Sequence, residues 1–138
     1  MAERSDDELI ACLTRAGAEI TQDEMAWLKG CLLDEERPVE AWRLGGKKGK
    51  EKYLLVATQM RLLNLHFKDR RLVFCDSVFL GDIVRVVARW YDGWELSFLT
   101  AGQSTGQVFG SFSDDTKAIM SAWRVVQCLA LAAKRNVT

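Results

Sequence analysis

The sequence is poor in residues that interrupt a chain, cross-link it or transfer protons. It has one proline and one histidine among 138 residues, and its four cysteines lie far apart. No CxxC or CxH spacing occurs, so the close ligand pairs of a structural zinc site are missing. The longest apolar stretch, residues 125–133, is interrupted by Gln127 and is much shorter than the roughly 18 residues that a membrane span needs. We therefore expect no metal ion, no cofactor and no transmembrane helix.

Targeting signals are also missing from the sequence. Residues 1–8 lack the basic region and the apolar stretch of a signal peptide. Each cysteine has apolar neighbours, as in Ala11-Cys12-Leu13, which predicts buried, reduced thiols. Both observations favour a cytoplasmic protein.

The composition is that of a globular protein, with 49% hydrophobic and 28% charged residues. The net charge of zero conceals an asymmetry, however. Residues 1–36 carry ten acidic and three basic side chains, a net charge of −7, and the rest of the chain carries +7. The neutral total therefore does not exclude charged partners.

Two helix starts precede the proline. Ser5 to Glu8 and Thr21 to Glu24 both have the spacing of a capping box, and apolar residues at helical spacing follow each of them. Gly17 is suited to end the first helix, and Pro38 forbids the second from extending past it. Residues 1–37 are thus predicted to form an acidic helical hairpin, followed by a separate domain over residues 38–138.

After Pro38 the pattern becomes one of short strands. The predicted strands cover residues 39–44, 52–58, 61–67, 71–75, 83–90, a segment starting at Trp94, and 107–112. Asp92-Gly93 is a hairpin turn signal between the fifth and sixth strands. Seven short strands at this spacing predict an antiparallel barrel or sandwich. A final amphipathic helix, starting after Ser113, would cover its open end.

Two passages of this β-rich part resemble a known family. Tyr53 to Leu63 (YLLVATQMRLL) resembles the L-V-x-T-x-x-R-L-L hairpin of bacterial pleckstrin-homology-like (PH-like) and GRAM-like domains, and Leu80 to Val86 (LGDIVRV) resembles their next strand. The resemblance covers about residues 38–134 and leaves the acidic hairpin outside. It implies a seven-stranded antiparallel PH-like barrel or sandwich capped by a C-terminal helix. In this hairpin we expect the Thr58 hydroxyl to bond to nearby backbone and Arg61 to point outward and shield the sheet.

No catalytic constellation is evident in the sequence. His66 shares a strand face with Leu62 and Asn64, without a nucleophile or an acid as partner. The glycine-rich stretch 102–110 lacks the GxxxxGK[ST] pattern and leads into a strand, so it is not a phosphate-binding loop. We therefore expect a protein that is not an enzyme.

A cluster of basic residues is the strongest candidate ligand site. It comprises the connection between the first two strands and one later turn: Lys47, Lys48, Lys50, Lys52, Lys68, Arg70 and Arg71. In PH-like domains the first of these connections is where phosphoinositide-binding members collect Lys and Arg, and each cation near an anionic surface contributes about 1 kcal/mol. Against this reading, Leu54 breaks the Lys-x(n)-Arg-x-Arg pattern of strong lipid binders, and a solvated charged loop is the alternative. Nucleic acid is not favoured, because no aromatic residues are interleaved for base stacking.

The sequence favours an interaction module that binds a protein or peptide partner, or that self-associates, as the family resemblance allows. Peripheral binding to anionic lipid through the basic cluster is the alternative. The acidic hairpin either covers these basic residues or packs by its apolar stripe and keeps its acids in water. Trp90, Trp94 and Trp123 fit core-facing positions, whereas Trp27 and Trp42 remain open.

Overall fold

The structure, a computed structural model, describes residues 6–44, 51–102 and 107–135. Two helices come first and a long helix comes last: α1 (Asp6–Arg15), α2 (Gln22–Cys31) and α3 (Thr116–Arg135). Seven strands lie between them in the described part of the chain: β1 (Pro38–Arg43), β2 (Glu51–Thr58), β3 (Arg61–Lys68), β4 (Arg71–Phe79), β5 (Ile83–Trp90), β6 (Trp94–Thr100) and β7 (Gln107–Ser113). A single 3-10 turn, Leu80–Asp82, joins β4 to β5.

The strands form two antiparallel meanders, a four-stranded sheet in the order β1-β2-β3-β4 and a three-stranded sheet in the order β5-β6-β7. Asp69 and Arg70 both have positive φ (52° and 66°), as the tight two-residue turn between β3 and β4 requires. Gly93, with φ of 134°, closes the β5–β6 hairpin where Asp92-Gly93 predicts a turn. Each sheet therefore has two edge strands, β1 and β4 in one and β5 and β7 in the other.

An inner core fills the space between the two sheets and α3. Large side chains from both sheets, among them Leu55, Leu62, Leu96 and Phe112, are fully buried there. The predicted apolar stripe of α3 faces this core, with Ile119, Ala122, Val126 and Ala130 buried. The final helix therefore covers the barrel as its amphipathic pattern predicts.

An outer core lies on the opposite face of the four-stranded sheet, where the helical hairpin packs. Leu9, Leu13 and Leu28 of the hairpin contact alternate residues of the sheet, such as Leu63 and Leu65. Because both faces of the sheet are covered, the run 54–57 of β2 is buried at four consecutive positions. The molecule thus has three layers: hairpin, four-stranded sheet, and three-stranded sheet with α3. The outer core contains residues from both sides of the predicted domain boundary after residue 37. The division into two domains stays a prediction.

Local capping signals hold where they are described. Thr21 caps α2 with a complete capping box: its hydroxyl accepts from the Glu24 N–H at 3.2 Å, and the Glu24 carboxylate accepts from the Thr21 N–H at 3.0 Å. Gly17 follows α1 with φ of 69°, a conformation that favours glycine. Ser5, the predicted cap of α1, lies outside the described residues.

Two predictions about β-strand positions are wrong. β4 continues to Phe79 instead of stopping at Cys75, because Asp76 and Ser77 pair with β3 although their side chains are typical of turns. Trp90, predicted to face the core, is 56% exposed, because it lies at the end of β5 beside the turn and packs edge-on against Trp94. Trp94 and Trp123 do pack against the inner core.

The prediction of buried thiols is also wrong for most of the cysteines. Cys12 is buried in the outer core, but Cys31 is only half-buried, and Cys75 and Cys128 are exposed. Cys75 belongs to an edge strand, and Cys128 lies on the face of α3 opposite the buried stripe. Apolar sequence neighbours do not bury a side chain on an edge strand or on the outer face of a helix. In the described segments, no helix is both long enough and apolar enough to cross a bilayer.

Candidate functional site

The structure gathers the described part of the predicted basic cluster at one end of the four-stranded sheet. Glu51 and Lys52 at the start of β2 pair with Lys68 and Phe67 at the end of β3. The tight turn after β3 places two arginines at the same end. We call the resulting group the basic end, and its members are Lys52, Lys68, Arg70 and Arg71. Lys47, Lys48 and Lys50 lie outside the described residues.

Acidic groups already engage half of the basic end. The Lys52 Nζ lies 2.7 Å from the Glu24 Oε1, and Lys68 lies 3.9 Å from Glu51. Burial alone would raise the pKa of Glu24, but hydrogen bonds from Lys52 and from the Thr21 N–H together lower it. Lys52 and Arg70 line a cavity of about 380 Å³ together with two acids, Glu24 and Asp69. The cavity therefore carries both signs of charge.

A buried ionic cluster fastens the hairpin to the sheet beside the Thr58–Arg61 turn. Glu36 is 0% exposed, and its carboxylate lies 2.7 Å from the Arg61 Nη2. The Thr58 hydroxyl donates to Glu36 at 2.7 Å and accepts from the Arg61 N–H at 3.0 Å. The bonding of Thr58 to nearby backbone is confirmed. Arg61 points toward the hairpin and not outward, because the buried carboxylate of Glu36 needs a charged partner.

A groove of about 750 Å³ opens between β1, the start of α3 and the end of β7. Its lining is partly apolar, from Ala41, Trp42, Leu44, Phe112 and Ala118, and partly charged, from Arg15, Glu40, Arg43, Asp114, Asp115 and Lys117. We call this groove the β1 groove. In the described sheets β1 pairs with β2 alone, so one wall of the groove is a sheet edge.

Hydrogen bonds fix the walls of the β1 groove. The buried Trp42 donates from its indole Nε1 to the Ser121 Oγ at 3.3 Å, which joins β1 to α3. The Ala41 N–H donates to the Glu40 Oε1 at 3.3 Å, so a side chain takes the place of a neighbouring strand at this amide. Arg15 of α1 lies 3.4 Å from Glu40. These contacts hold α1, β1 and α3 together around the groove.

The sequence analysis expects a protein or peptide partner but does not identify these residues. The sheet register and the docking of α3 bring Arg43 and Lys117, 74 positions apart, to one groove. The only local signal is the tryptophan in the first strand, Trp42, whose indole N–H needs a partner when it is buried.

His66, the single histidine of the chain, lies on β3. Its ring stacks on Tyr53, with centroids 4.2 Å apart, and its buried Nε2 has no hydrogen-bond partner among them. The Tyr53 hydroxyl donates to Glu51 at 3.2 Å, and loss of hydration together with this carboxylate raises the pKa of Tyr53. No three His, Cys, Asp or Glu side chains of the described segments lie close enough to share a metal ion.

Comparison with known proteins supports the fold through structure and not through sequence. No family model and no curated protein sequence matches the chain. A DUF1696 family protein with a pleckstrin-homology domain from Shewanella loihica is 21% identical, with a TM-score of 0.56 over 82% of this chain and 96% of that one. A pleckstrin homology domain from Shewanella amazonensis is 20% identical, with a TM-score of 0.58 over 88% and 98%. The fold is that of a pleckstrin-homology domain.

The predicted PH-like barrel with its C-terminal helix is thereby confirmed. The hSac2 domain from the human phosphoinositide phosphatase Sac2 has the same general fold, at 13% identity and a TM-score of 0.56, over 94% of this chain and 85% of that domain. At these identities the neighbours establish the architecture alone.

Proposed function

We propose that this PH-like protein is a non-catalytic binding module that takes up an extended segment of a partner protein along β1. The observation that carries this proposal is the edge of β1 inside the β1 groove, which pairs with no further strand in the described sheets. An exposed sheet edge binds extended peptides through main-chain hydrogen bonds, and side-chain pockets beside it give specificity.

The register of the sheet indicates which backbone groups are free to bind. The Leu44 N–H donates to the Tyr53 carbonyl, so Leu44 faces β2. Alternate residues of an antiparallel strand direct their N–H and C=O groups to opposite sides, so those of Ala41 and Arg43 point away from β2. These two residues offer a ladder to an incoming strand, once the Glu40 carboxylate releases the Ala41 N–H.

The lining of the groove suggests the chemistry of the partner. Trp42, Leu44 and Phe112 provide apolar surface for alternate side chains of the bound segment. The rim has three basic and three acidic residues, and two of the acids are engaged: the Asp115 Oδ1 accepts from the Ala118 N–H at 3.0 Å, and the Glu40 Oε1 lies 3.4 Å from Arg15. We expect an extended segment with apolar residues at every second position and little net charge.

A pair of substitutions at Arg43 tests the proposal. Arg43→Pro removes the outward N–H but spares the ladder to β2, and Arg43→Ala removes only the side chain. We expect the native chain to select peptides from a phage-displayed random library. The affinity for those peptides should fall at least about tenfold in Arg43→Pro, because one lost main-chain hydrogen bond costs about 1.4 kcal/mol. The affinity should change little in Arg43→Ala. Thermal unfolding of both variants checks that the fold is intact.

Three outcomes would contradict the proposal. They are failure to select any peptide, selected peptides that bind Arg43→Pro as well as the native chain, and binding that depends on the Arg43 side chain alone. Light scattering tests whether a second copy of the chain occupies the β1 groove instead of a partner protein. A dimer that dissociates in Arg43→Pro would show that it does.

Binding to anionic lipid is the second candidate, and its support is the collection of Lys52, Lys68, Arg70 and Arg71 at one end of the sheet. The contact of Glu24 with Lys52 supports the idea that the hairpin masks this end. Deleting the hairpin would expose the outer core, so the substitution Glu24→Gln is a better test of whether the hairpin masks the basic end. Freeing one lysine should raise binding to phosphatidylserine vesicles about fivefold, the effect of about 1 kcal/mol. No flotation at low salt, or no effect of replacing the four lysines 47, 48, 50 and 52 by serine, would exclude this candidate.

A further inference from the structure

Two thiols meet at the boundary between the hairpin and the sheet. Cys31 is the last residue of α2, and Cys75 lies in the middle of β4, the strand on which α2 packs. Cys75 lies opposite Leu65 of β3, whose side chain belongs to the outer core, so Cys75 points to the face of the sheet on which α2 packs. The Cys31 thiol lies close enough to contribute to the raised pKa of Cys75. Cys75 is exposed and Cys31 is half-buried, so the pair is at the surface.

Arg61 holds both sides of this contact in place. Its Nη2 donates to the Cys31 carbonyl at 2.5 Å, and its Nη1 donates to the Ser77 Oγ at 3.5 Å. Ser77 and Cys75 are two residues apart on β4 and therefore share a face of the strand. The guanidinium is itself fixed by Glu36, at 2.7 Å. One side chain thus joins the end of α2 to the face of β4 that carries Cys75.

We propose that Cys31 and Cys75 are a redox-sensitive pair that forms an intramolecular disulfide and locks the helical hairpin onto the sheet. A surface cavity of about 360 Å³, lined by Ala26, Trp27, Gly30, Cys31 and Leu72, gives a small oxidant access to the Cys31 side. The exposure of Cys75 gives access to the other side. The inference is independent of the β1 groove, which lies between β1 and α3.

The reaction balances with an organic disulfide such as glutathione disulfide as oxidant. One protein thiolate attacks a sulfur of glutathione disulfide, a mixed disulfide forms, and one glutathione thiolate leaves and takes up a proton. The second protein thiolate then attacks the protein sulfur of the mixed disulfide and releases the second glutathione. Two cysteine thiols are oxidised, and one glutathione disulfide is reduced to two glutathione molecules. Burial and the neighbouring Cys31 raise the pKa of Cys75 to about 11, so we expect slow exchange at neutral pH.

Peptide mapping of the full chain under non-reducing conditions tests the pair. The chain is equilibrated with mixtures of reduced and oxidised glutathione, and free thiols are blocked by alkylation. We expect an intact chain that carries two alkyl groups instead of four, and one linked peptide containing Cys31 and Cys75. Cys31→Ser and Cys75→Ser should abolish the linked species, and Cys128→Ser, which changes the exposed thiol of α3, should retain it.

A second measurement reports the effect of the disulfide on thermal stability. The bond would close a loop of 45 residues, so oxidation should raise the Tm of the native chain by about 5–15 °C and leave that of Cys31→Ser unchanged. Glutathione adducts alone, intermolecular dimers alone, or a linkage to Cys12 or Cys128 in the native chain would overturn the proposal. This map reads the linkage directly, so it decides even if a serine variant does not fold.

Discussion

Replacing Arg61 by methionine should be among the most damaging single substitutions in this protein. Arg61 is the charged partner of Glu36, which is 0% exposed, and it also donates to the Cys31 carbonyl. Arg61→Met keeps the length of the side chain but leaves Glu36, among the described residues, with the hydrogen bonds from the Leu33 N–H and the Thr58 hydroxyl. Leaving one partner of a buried pair unpaired costs about 3–5 kcal/mol.

The second arm of this prediction removes the charge that is left behind. In the double variant Glu36→Gln/Arg61→Met no charge is buried, so most of the lost stability should return. Urea unfolding followed by tryptophan fluorescence gives the free energy of unfolding of the native chain, both single variants and the double variant. We expect a coupling energy of at least about 2 kcal/mol between the two positions.

The pH gives an internal check on the same reasoning. Burial alone would raise the pKa of Glu36, but hydrogen bonds from Arg61 and from the Leu33 N–H lower it in the native chain. Without Arg61 the effect of burial dominates, and the Glu36 carboxyl takes up a proton on folding. The difference in free energy of unfolding between the native chain and Arg61→Met should therefore shrink as the pH falls toward 4. A loss below about 1 kcal/mol, or a deficit that does not change with pH, would refute the claim that this pair fastens the hairpin.

Two further predictions concern the hairpin. Glu24 and Glu36 both have lowered pKa values in the folded chain, so their contribution to stability is complete above the ordinary Glu pKa of about 4.3 and is lost as the pH falls through the lowered values. Urea unfolding between pH 7 and 3 measures this loss of stability. An equally steep loss in Glu36→Gln would contradict the assignment to Glu36. Thr21→Ala removes the cap of α2 and should cost about 1 kcal/mol, whereas Thr21→Ser should cost much less; equal losses in the two variants would show that the hydroxyl does not cap the helix.

Local signals in the sequence predict much of the fold. The capping box at Thr21, the bounds of β5 and the buried stripe of α3 each depend on residues close together in the chain, and the structure has all three. The run 54–57 shows how far such signals reach. Four consecutive apolar residues indicate a strand that is buried on both faces, but they do not say that the helical hairpin covers one of those faces.

The candidate sites depend on tertiary structure and were harder to predict. The β1 groove forms only when α3 docks beside the edge of β1, and the thiols of Cys31 and Cys75 meet only when α2 packs on β4. The basic end was easier, because the start of β2 and the turn after β3 belong to neighbouring strands of one meander. In that case the order of strands along the chain is enough to bring the residues together.

Amide hydrogen exchange, read by NMR with and without a selected peptide, is the most direct test of binding at the edge of β1. The account predicts that the peptide slows exchange of the outward N–H groups of Ala41 and Arg43 and leaves that of Leu44, which already donates to β2, nearly unchanged. Unchanged exchange along β1, or protection confined to Lys52 and Lys68 of the basic end, would contradict it.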